Sequence, residues 1–235
     1  PEVVDRLPAN PPWLLGFRNI CRSTDERTVI PAVITAVGVG HSFPILFSDR
    51  TAAQLALLGS ALGSLPLDYF ARQKVGGTNL TFGYVNQLPV LPPETYEQQT
   101  PWDFDRRLDD WVLDRVLELT YTAWDLEGFA LDLGYDGPPF RWDDERRVLL
   151  RAELDACYFH LYGIERDDVD YILSKFPIVK RKDRAAHGEF RTRRLILQIF
   201  DAMSKATETT EPYQTILDPP PADPSTAHPD TRRPT

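Results

Sequence analysis

Clustered cations are the residues of this chain best suited to binding phosphate. The run Lys180-Arg181-Lys182-Asp183-Arg184 is followed by Arg191, Arg193 and Arg194, and residues 171–205 carry nine cations against three anions. Duplex DNA attracts such clusters through phosphate contacts and the release of counterions. We predict a basic loop at 180–184 beside a basic helix face, together forming a phosphate clamp of Lys180, Arg181, Lys182, Arg191 and Arg194. The alternative is a solvated charged face.

A second candidate for phosphate binding is the pair Gly76-Gly77. Two glycines let a backbone approach a phosphate closely, and Arg72 and Lys74 add positive charge beside them. The alternative is a tight turn that joins a helix to a strand, with solvated basic neighbours.

Asn10-Pro11-Pro12-Trp13 fits the [DNS]-P-P-[YFW] tetrapeptide of adenine-N6 methyltransferases. In those enzymes, polar groups accept hydrogen bonds from the target amino group and the aromatic ring stacks on a flipped base. That chemistry also needs a buried strand before the loop and a glycine-rich cofactor loop, and the sequence contains neither pattern. We therefore expect 10–13 to be a proline-rich loop without a catalytic role.

No other pattern in the sequence indicates an active site or a metal site. The four histidines show no metal-ligand spacing, and neither a G-x-S-x-G elbow nor an E-x-K nuclease element occurs. His160 falls within a predicted helix, where a core position is expected. We predict no catalytic residue, no metal and no cofactor in this chain, and whether it has any enzymatic activity stays open.

Charge is distributed unevenly along the 235 residues. The net charge is −9, yet residues 94–140 alone carry twelve acidic and three basic side chains. The excess of acidic residues is therefore concentrated in this segment, and 171–205 remains basic. No apolar run approaches the roughly 20 residues of a membrane span, and no secretion leader is recognisable. Two distant cysteines suit a reducing compartment. We expect a cytoplasmic protein, part of a longer chain, without a membrane partner.

The first third of the chain is predicted to be mixed α/β (α+β). Strand-like runs cover 13–20, 28–37 and 43–47, an Ala/Leu-rich helix covers 51–62, and β character returns at 79–90. Residues 1–12 are an N-terminal extension and 94–100, after two prolines, a linker.

An all-α region is predicted at 101–205. An acidic amphipathic helix or helix pair at 101–133 places Asp110, Asp114, Glu118, Asp125 and Asp132 opposite its apolar face, and further helices cover about 143–162, 166–175 and 188–205. Residues 206–235 hold many prolines and threonines and few large apolar groups, which indicates a disordered tail.

Three stretches together resemble a known family: WLLGFRNICRSTDERTVI (13–30), LDYFARQKVGGTNL (67–80) running into QLPVLPP (87–93), and LRAELDACYFHLYG (150–163). They are similar to the C-terminal part of type II restriction-modification proteins with a fused adenine-specific DNA methylase, and the likeness covers roughly 13–205. The QLPVLPP end also resembles the exit of target-recognition domains in type I specificity subunits and TaqI-like methylases.

The resemblance implies that 13–93 is a target-recognition domain and 101–205 a helical spacer or clamp, in a protein of anti-phage defence. S-adenosylmethionine would then bind a separate methylase domain, and double-stranded DNA and that domain would be the partners. Base or phosphate contacts are expected from Arg22, Arg27, Arg72, Lys74, Gly76, Gly77 and Asn79. The alternative is a protein-interaction module that docks a methylase or other defence subunit through its acidic helices.

Overall fold

A small antiparallel sheet forms the N-terminal part of the protein. The computed structural model describes residues 11–209 and 211–230, so Asn10 and most of the predicted extension lie outside it. The strands are β1 (Trp13–Phe17), β2 (Pro31–Thr35) and β3 (Ile45–Leu46), in the order β2-β1-β3. β1 and β2 pair from Trp13 opposite Thr35 to Phe17 opposite Pro31. The three strands expected between 13 and 47 are thus confirmed.

Two consecutive helices follow the sheet, α1 (Ala52–Gly63) and α2 (Leu65–Lys74). α1 begins as predicted because Thr51 and Gln54 form a capping box, in which each side chain accepts from the other residue's backbone N–H. The β character expected at 79–90 is wrong apart from one bridge between Ile20 and Asn79. Gly83 and Asn86 disfavour an extended strand, and local backbone bonds instead form the short helix α3 (Phe82–Val85).

The middle of the chain alternates short and long elements. These are α4 (Pro93–Tyr96), β4 (Gln99–Thr100), β5 (Asp103–Arg107), α5 (Leu108–Thr120), a 3-10 turn (Trp124–Leu126) and α6 (Glu127–Asp132). The linker expected at 94–100 therefore contains structure, and the region expected to be all-α includes the hairpin β4–β5. The acidic helix or helix pair expected at 101–133 is a pair, because α5 ends at Thr120, where Tyr121 leaves the helical conformation, and α6 follows the 3-10 turn.

Four helices complete the fold. They are α7 (Asp144–Leu161), α8 (Arg166–Ser174), α9 (Pro177–His187) and α10 (Arg191–Thr209). α7 starts where the sequence predicts, because the Asp143 carboxylate accepts from the Arg146 N–H at 3.0 Å. α10 packs along α7 and also contacts α8 and α9. The mixed α+β class is confirmed.

Two hydrophobic clusters hold these elements together. The smaller lies within 17–88 and includes Phe17, Leu67 and Leu80. The larger joins side chains of β1 and α1, such as Trp13 and Leu57, to the inner faces of α5, α7, α8 and α10. The sheet and the helices therefore share one continuous core, across the predicted linker.

The segment 211–230 is ordered, so the prediction of a disordered tail is wrong over these residues. Tyr213 and Leu217 are buried, and the Glu153 carboxylate of α7 accepts from the Tyr213 hydroxyl at 2.7 Å and the Thr215 hydroxyl at 2.6 Å. Ala227 pairs with Phe140 in an isolated bridge. A few apolar anchors and two buried carboxylates, Glu153 and Glu118, which accepts from the Ala222 N–H at 2.8 Å, order this proline-rich segment, although its composition resembles that of a flexible chain.

Candidate nucleic-acid interface

Arg72, in the last turn of α2, holds the loop before β2 in place. Its guanidinium is almost completely buried and bonds to Asp68 at 3.3 Å, one helical turn earlier. It also donates to three loop carbonyls, those of Ser23 at 3.1 Å, Asp25 at 2.6 Å and Glu26 at 2.7 Å. Burial lowers the pKa of Arg72, while the Asp68 charge opposes that shift. With its donors used internally, Arg72 has a structural role here.

Arg27 shares the same buried carboxylate. Its Nε lies 2.6 Å from Asp68 Oδ2, and its guanidinium also donates to the Gly63 carbonyl at the end of α1. Asp68 is fully buried and accepts from the Thr28 backbone N–H as well, at 3.0 Å. Arg27 and Arg72, both predicted to contact DNA, therefore neutralise a buried aspartate and connect α1, α2 and the loop.

Two contacts bring α9 against this loop and the end of α2. The Arg72 guanidinium lies over the Phe176 ring, 4.2 Å from its centre, and Phe176 is the residue immediately before α9. Six residues further along, Lys182 Nζ lies 2.5 Å from Glu26 Oε2. The basic end of α2 and the basic helix α9, which are about 100 residues apart in sequence, therefore lie close together.

The residues expected to form a basic loop, 180–184, lie within the helix α9. Pro177 occupies a favourable first position, and Gly188 ends the helix in the left-handed conformation at φ +77°. No residue of α9 is fully buried, and Ile178 and Val179 provide its half-buried side. Asp183 has a local role, since its carboxylate accepts from the Thr192 N–H at 2.6 Å at the start of α10.

The predicted clamp residues divide into paired and unpaired cations. Lys182 pairs with Glu26, Arg194 with Glu189 at 2.9 Å, and Arg191, whose side chain is only 16% exposed, with Glu145. Lys180 and Arg181, in contrast, form no ion pair with any residue described in the structure. Arg184, which was not among the predicted clamp residues, is also unpaired within 11–209 and 211–230. It is exposed like Arg181, whereas Lys180 is half-buried, and its i+4 spacing from Lys180 would identify it once α9 is recognised as a helix.

The turn after α2 is open to solvent. Lys74, Gly76, Gly77 and Asn79 are all exposed, and a Cβ atom on either glycine would meet no other atom within 4 Å. The turn is anchored to the end of the first strand run by a 2.6 Å bond from the Leu80 N–H to the Asn19 carbonyl. We define the basic surface as Lys74, Gly76, Gly77 and Asn79 of this turn, Arg22 of the loop, and Lys180, Arg181 and Arg184 of α9.

Side chains capable of acid–base chemistry are dispersed or buried. His160 stacks on Phe200 with 3.9 Å between ring centres, and burial lowers its pKa. Within the described residues, no group of three His, Cys, Asp or Glu side chains is placed to hold a metal ion. Among those same residues, no helix has both the length and the apolar character required to cross a bilayer.

Comparison with known proteins adds no relative to these observations. No protein-family model matches the chain, and neither a curated protein nor a solved structure matches it.

Proposed function

We propose that this chain is the DNA-recognition portion of an adenine-N6 DNA methyltransferase or restriction-modification protein, and that it binds duplex DNA through the basic surface. The observation that carries the proposal is the pair of contacts Arg72–Phe176 and Lys182–Glu26. They place the start of α9 beside Arg72, at the end of α2, and Lys182 beside the loop at 23–26, and we therefore assign the cations of α9 and of the end of α2 to one surface.

The roles within the basic surface follow from exposure and pairing. Lys180, Arg181 and Arg184 are the phosphate contacts, because they are on an 11-residue helix and no described carboxylate neutralises them. Gly76 and Gly77 allow close backbone approach to the sugar-phosphate chain. Arg22 and Asn79 have side chains suited to guanine and adenine edges. Arg27 and Arg72 position the loop, and Lys182, Arg191 and Arg194 are already partly neutralised.

The methylase part of the proposal derives from the resemblance over 13–205. In this proposal a separate domain, in the same or a partner chain, binds S-adenosylmethionine and methylates the adenine. This chain determines where that domain is placed on the duplex, and it takes no cofactor itself. The geometry of the basic surface supports the DNA contact, and the sequence stretches at 13–30, 67–93 and 150–163 support the link to a methylase.

A role as a protein-interaction module acting through the acidic helices has less support. Asp114 pairs with Arg106, Glu118 is buried against Arg146, and Asp132 accepts from the Trp13 indole N–H at 2.8 Å. These three carboxylates were expected on a solvent-facing acidic side. Because they bond within the chain, little of that side is available to a partner.

The test is duplex DNA binding by the full chain, measured by fluorescence anisotropy over a salt series. Arg181→Gln/Arg184→Gln removes two exposed cations of the basic surface, and Arg50→Gln/Lys205→Gln removes two exposed cations outside it. Each phosphate contact contributes about −0.9 to the log–log salt slope. We expect the first double variant to reduce the slope by about 1.8 and the control to leave it nearly unchanged.

Equal reductions in both double variants would contradict the proposal, because only total charge would then matter. If the native chain binds no DNA even at low salt, direct DNA recognition by this chain is wrong. Light scattering with a candidate methylase subunit would then test the interaction module, which predicts a tight complex without DNA.

A further inference from the structure

A cavity of about 400 Å³ that opens to solvent lies between the sheet and the helices α1, α5 and α7. Its size is typical of small-molecule sites. One wall is a face of α1 at the i, i+3, i+4 and i+7 positions, occupied by Ala56, Gly59, Ser60 and Gly63. Small side chains on this face leave space that larger ones would fill. Most of the remaining wall is apolar and includes Leu15, Val33, Val116 and Leu154.

A carboxylate with unused bonding capacity lines this apolar cavity. Asp155 of α7 is 6% exposed, and its Oδ1 accepts from the Leu65 N–H at 2.7 Å. No donor in the described part of the chain bonds to Oδ2. Burial raises the pKa of Asp155 to about 6, so the carboxylate is ionised at neutral pH without a direct ion-pair partner among those residues.

Two arginines line the same cavity as Asp155, and they differ in availability. Arg27 is bonded to Asp68 and to the Gly63 carbonyl. Arg151 is exposed and forms no ion pair with a described residue, and it precedes Asp155 by four residues, so both side chains project from one face of α7. The cavity thus offers one anionic and one cationic group without ion-pair partners among the described residues, beside an apolar body, whereas Arg27 is bonded to Asp68.

We infer that this cavity binds a small zwitterion with an apolar body, of the class of apolar α-amino acids. The ligand ammonium would donate to Asp155, its carboxylate would accept from Arg151, and its side chain would lie against the apolar wall. A simple amine fits less well, because it would add a cation between two arginines without a second anion. This site is separate from the basic surface, and the inference does not depend on DNA binding.

The experiment is titration calorimetry of the full chain with L-leucine and L-phenylalanine. Two comparison ligands each lack one charge: 2-phenylethylamine has no carboxylate, and 3-phenylpropionate has no ammonium. Asp155→Asn keeps an oxygen for the Leu65 N–H but removes the anion, and Ala56→Leu fills the cavity. Asp110→Asn, at an exposed position on α5, is the matched control.

We expect an amino acid to bind with at least about tenfold higher affinity than either comparison ligand, as one charged hydrogen bond provides. Asp155→Asn should weaken binding by a similar factor, Ala56→Leu should abolish it, and Asp110→Asn should leave it unchanged. Lowering the pH to about 5 should weaken binding to the native chain but not to Asp155→Asn. Arg27, Arg151, Asp68 and the Leu65 N–H are the groups that act on this titration.

Three results would overturn the inference. One is the absence of a binding heat with L-leucine and L-phenylalanine up to roughly 10 mM, a concentration at which a site with a Kd of about 1 mM would be nearly saturated. Another is binding of 2-phenylethylamine with the same affinity as L-phenylalanine, which would exclude a role for the ligand carboxylate. The third is unchanged affinity in Asp155→Asn, because the proposed site depends on the Asp155 carboxylate. Circular dichroism of that variant shows separately whether it is folded.

Discussion

Replacing Asp155 by asparagine is expected to stabilise the protein above neutral pH, although the residue is buried. Asp155 Oδ1 accepts from the Leu65 N–H at 2.7 Å, at the start of α2. An asparagine amide oxygen has the same position and keeps that bond. The substitution therefore removes the charge and retains the shape and the hydrogen bond.

The magnitude follows from the titration of the buried carboxyl. Burial raises the pKa of Asp155 from 3.8 to about 6, against the opposing effects of Arg27 and Arg151. The folded state thus binds the proton more tightly than the unfolded state. This stabilisation is complete below about pH 3.8, decreases as the pH rises towards 6, and is lost above it. Two pKa units correspond to about 3 kcal/mol, which is the upper limit of the gain expected for Asp155→Asn at pH 8.

The assay is urea unfolding followed by tryptophan fluorescence at about pH 4 and about pH 8. Asp155→Asn should match the native protein at the lower pH and exceed it by up to about 3 kcal/mol at the higher. Asp110→Asn, a change at an exposed site, should show no such difference. If Asp155→Asn is destabilised equally at both pH values, the carboxylate is favourably paired in the folded protein and the reasoning about its burial is wrong.

Three further substitutions or reactions test other parts of the fold. Glu153→Gln leaves the Arg115 guanidinium, 2% exposed, without its anion, and should lower the free energy of unfolding by about 3–5 kcal/mol in urea titrations. Gly188→Ala places a Cβ at φ +77° in open space, so it should cost about 1 kcal/mol in the same titration. Burial raises the pKa of both the Cys21 and Cys157 thiols, so a thiol reagent should modify neither in the folded protein and both in urea.

Element boundaries were predictable wherever a local signal marks them. Thr51 and Asp143 cap the starts of α1 and α7, and both helices begin there. Pro177 and Gly188 mark α9 just as clearly, yet the dense charge between them suggested a loop. Local propensity alone was insufficient at 211–230, where order depends on long-range partners such as Glu153.

The composition of the candidate site could be predicted only in part, because the role of an arginine depends on its partners. Arg72 and Arg181 are equivalent in the sequence as cations in basic stretches. In the structure Arg72 bonds to Asp68 and three carbonyls, whereas Arg181 is exposed. The i,i+4 spacing of Asp68 and Arg72 was the available signal for this difference. The cavity beside Asp155 had no comparable signal, because its walls come from segments far apart in the chain.

The pairing pattern is consistent with the proposed DNA-binding surface on a chain of net charge −9. Glu118 and Glu153 of the acidic and helical regions are buried against arginines, so part of the negative charge is neutralised within the fold. On α9, by contrast, Arg181 and Arg184 are exposed and pair with no carboxylate in the part of the chain that the structure describes. At physiological ionic strength, interactions between exposed charges are screened beyond about 8 Å. Attraction to a phosphate chain is therefore governed by the local density of unpaired cations, and a basic surface of a few such residues should give DNA binding that weakens steeply with salt.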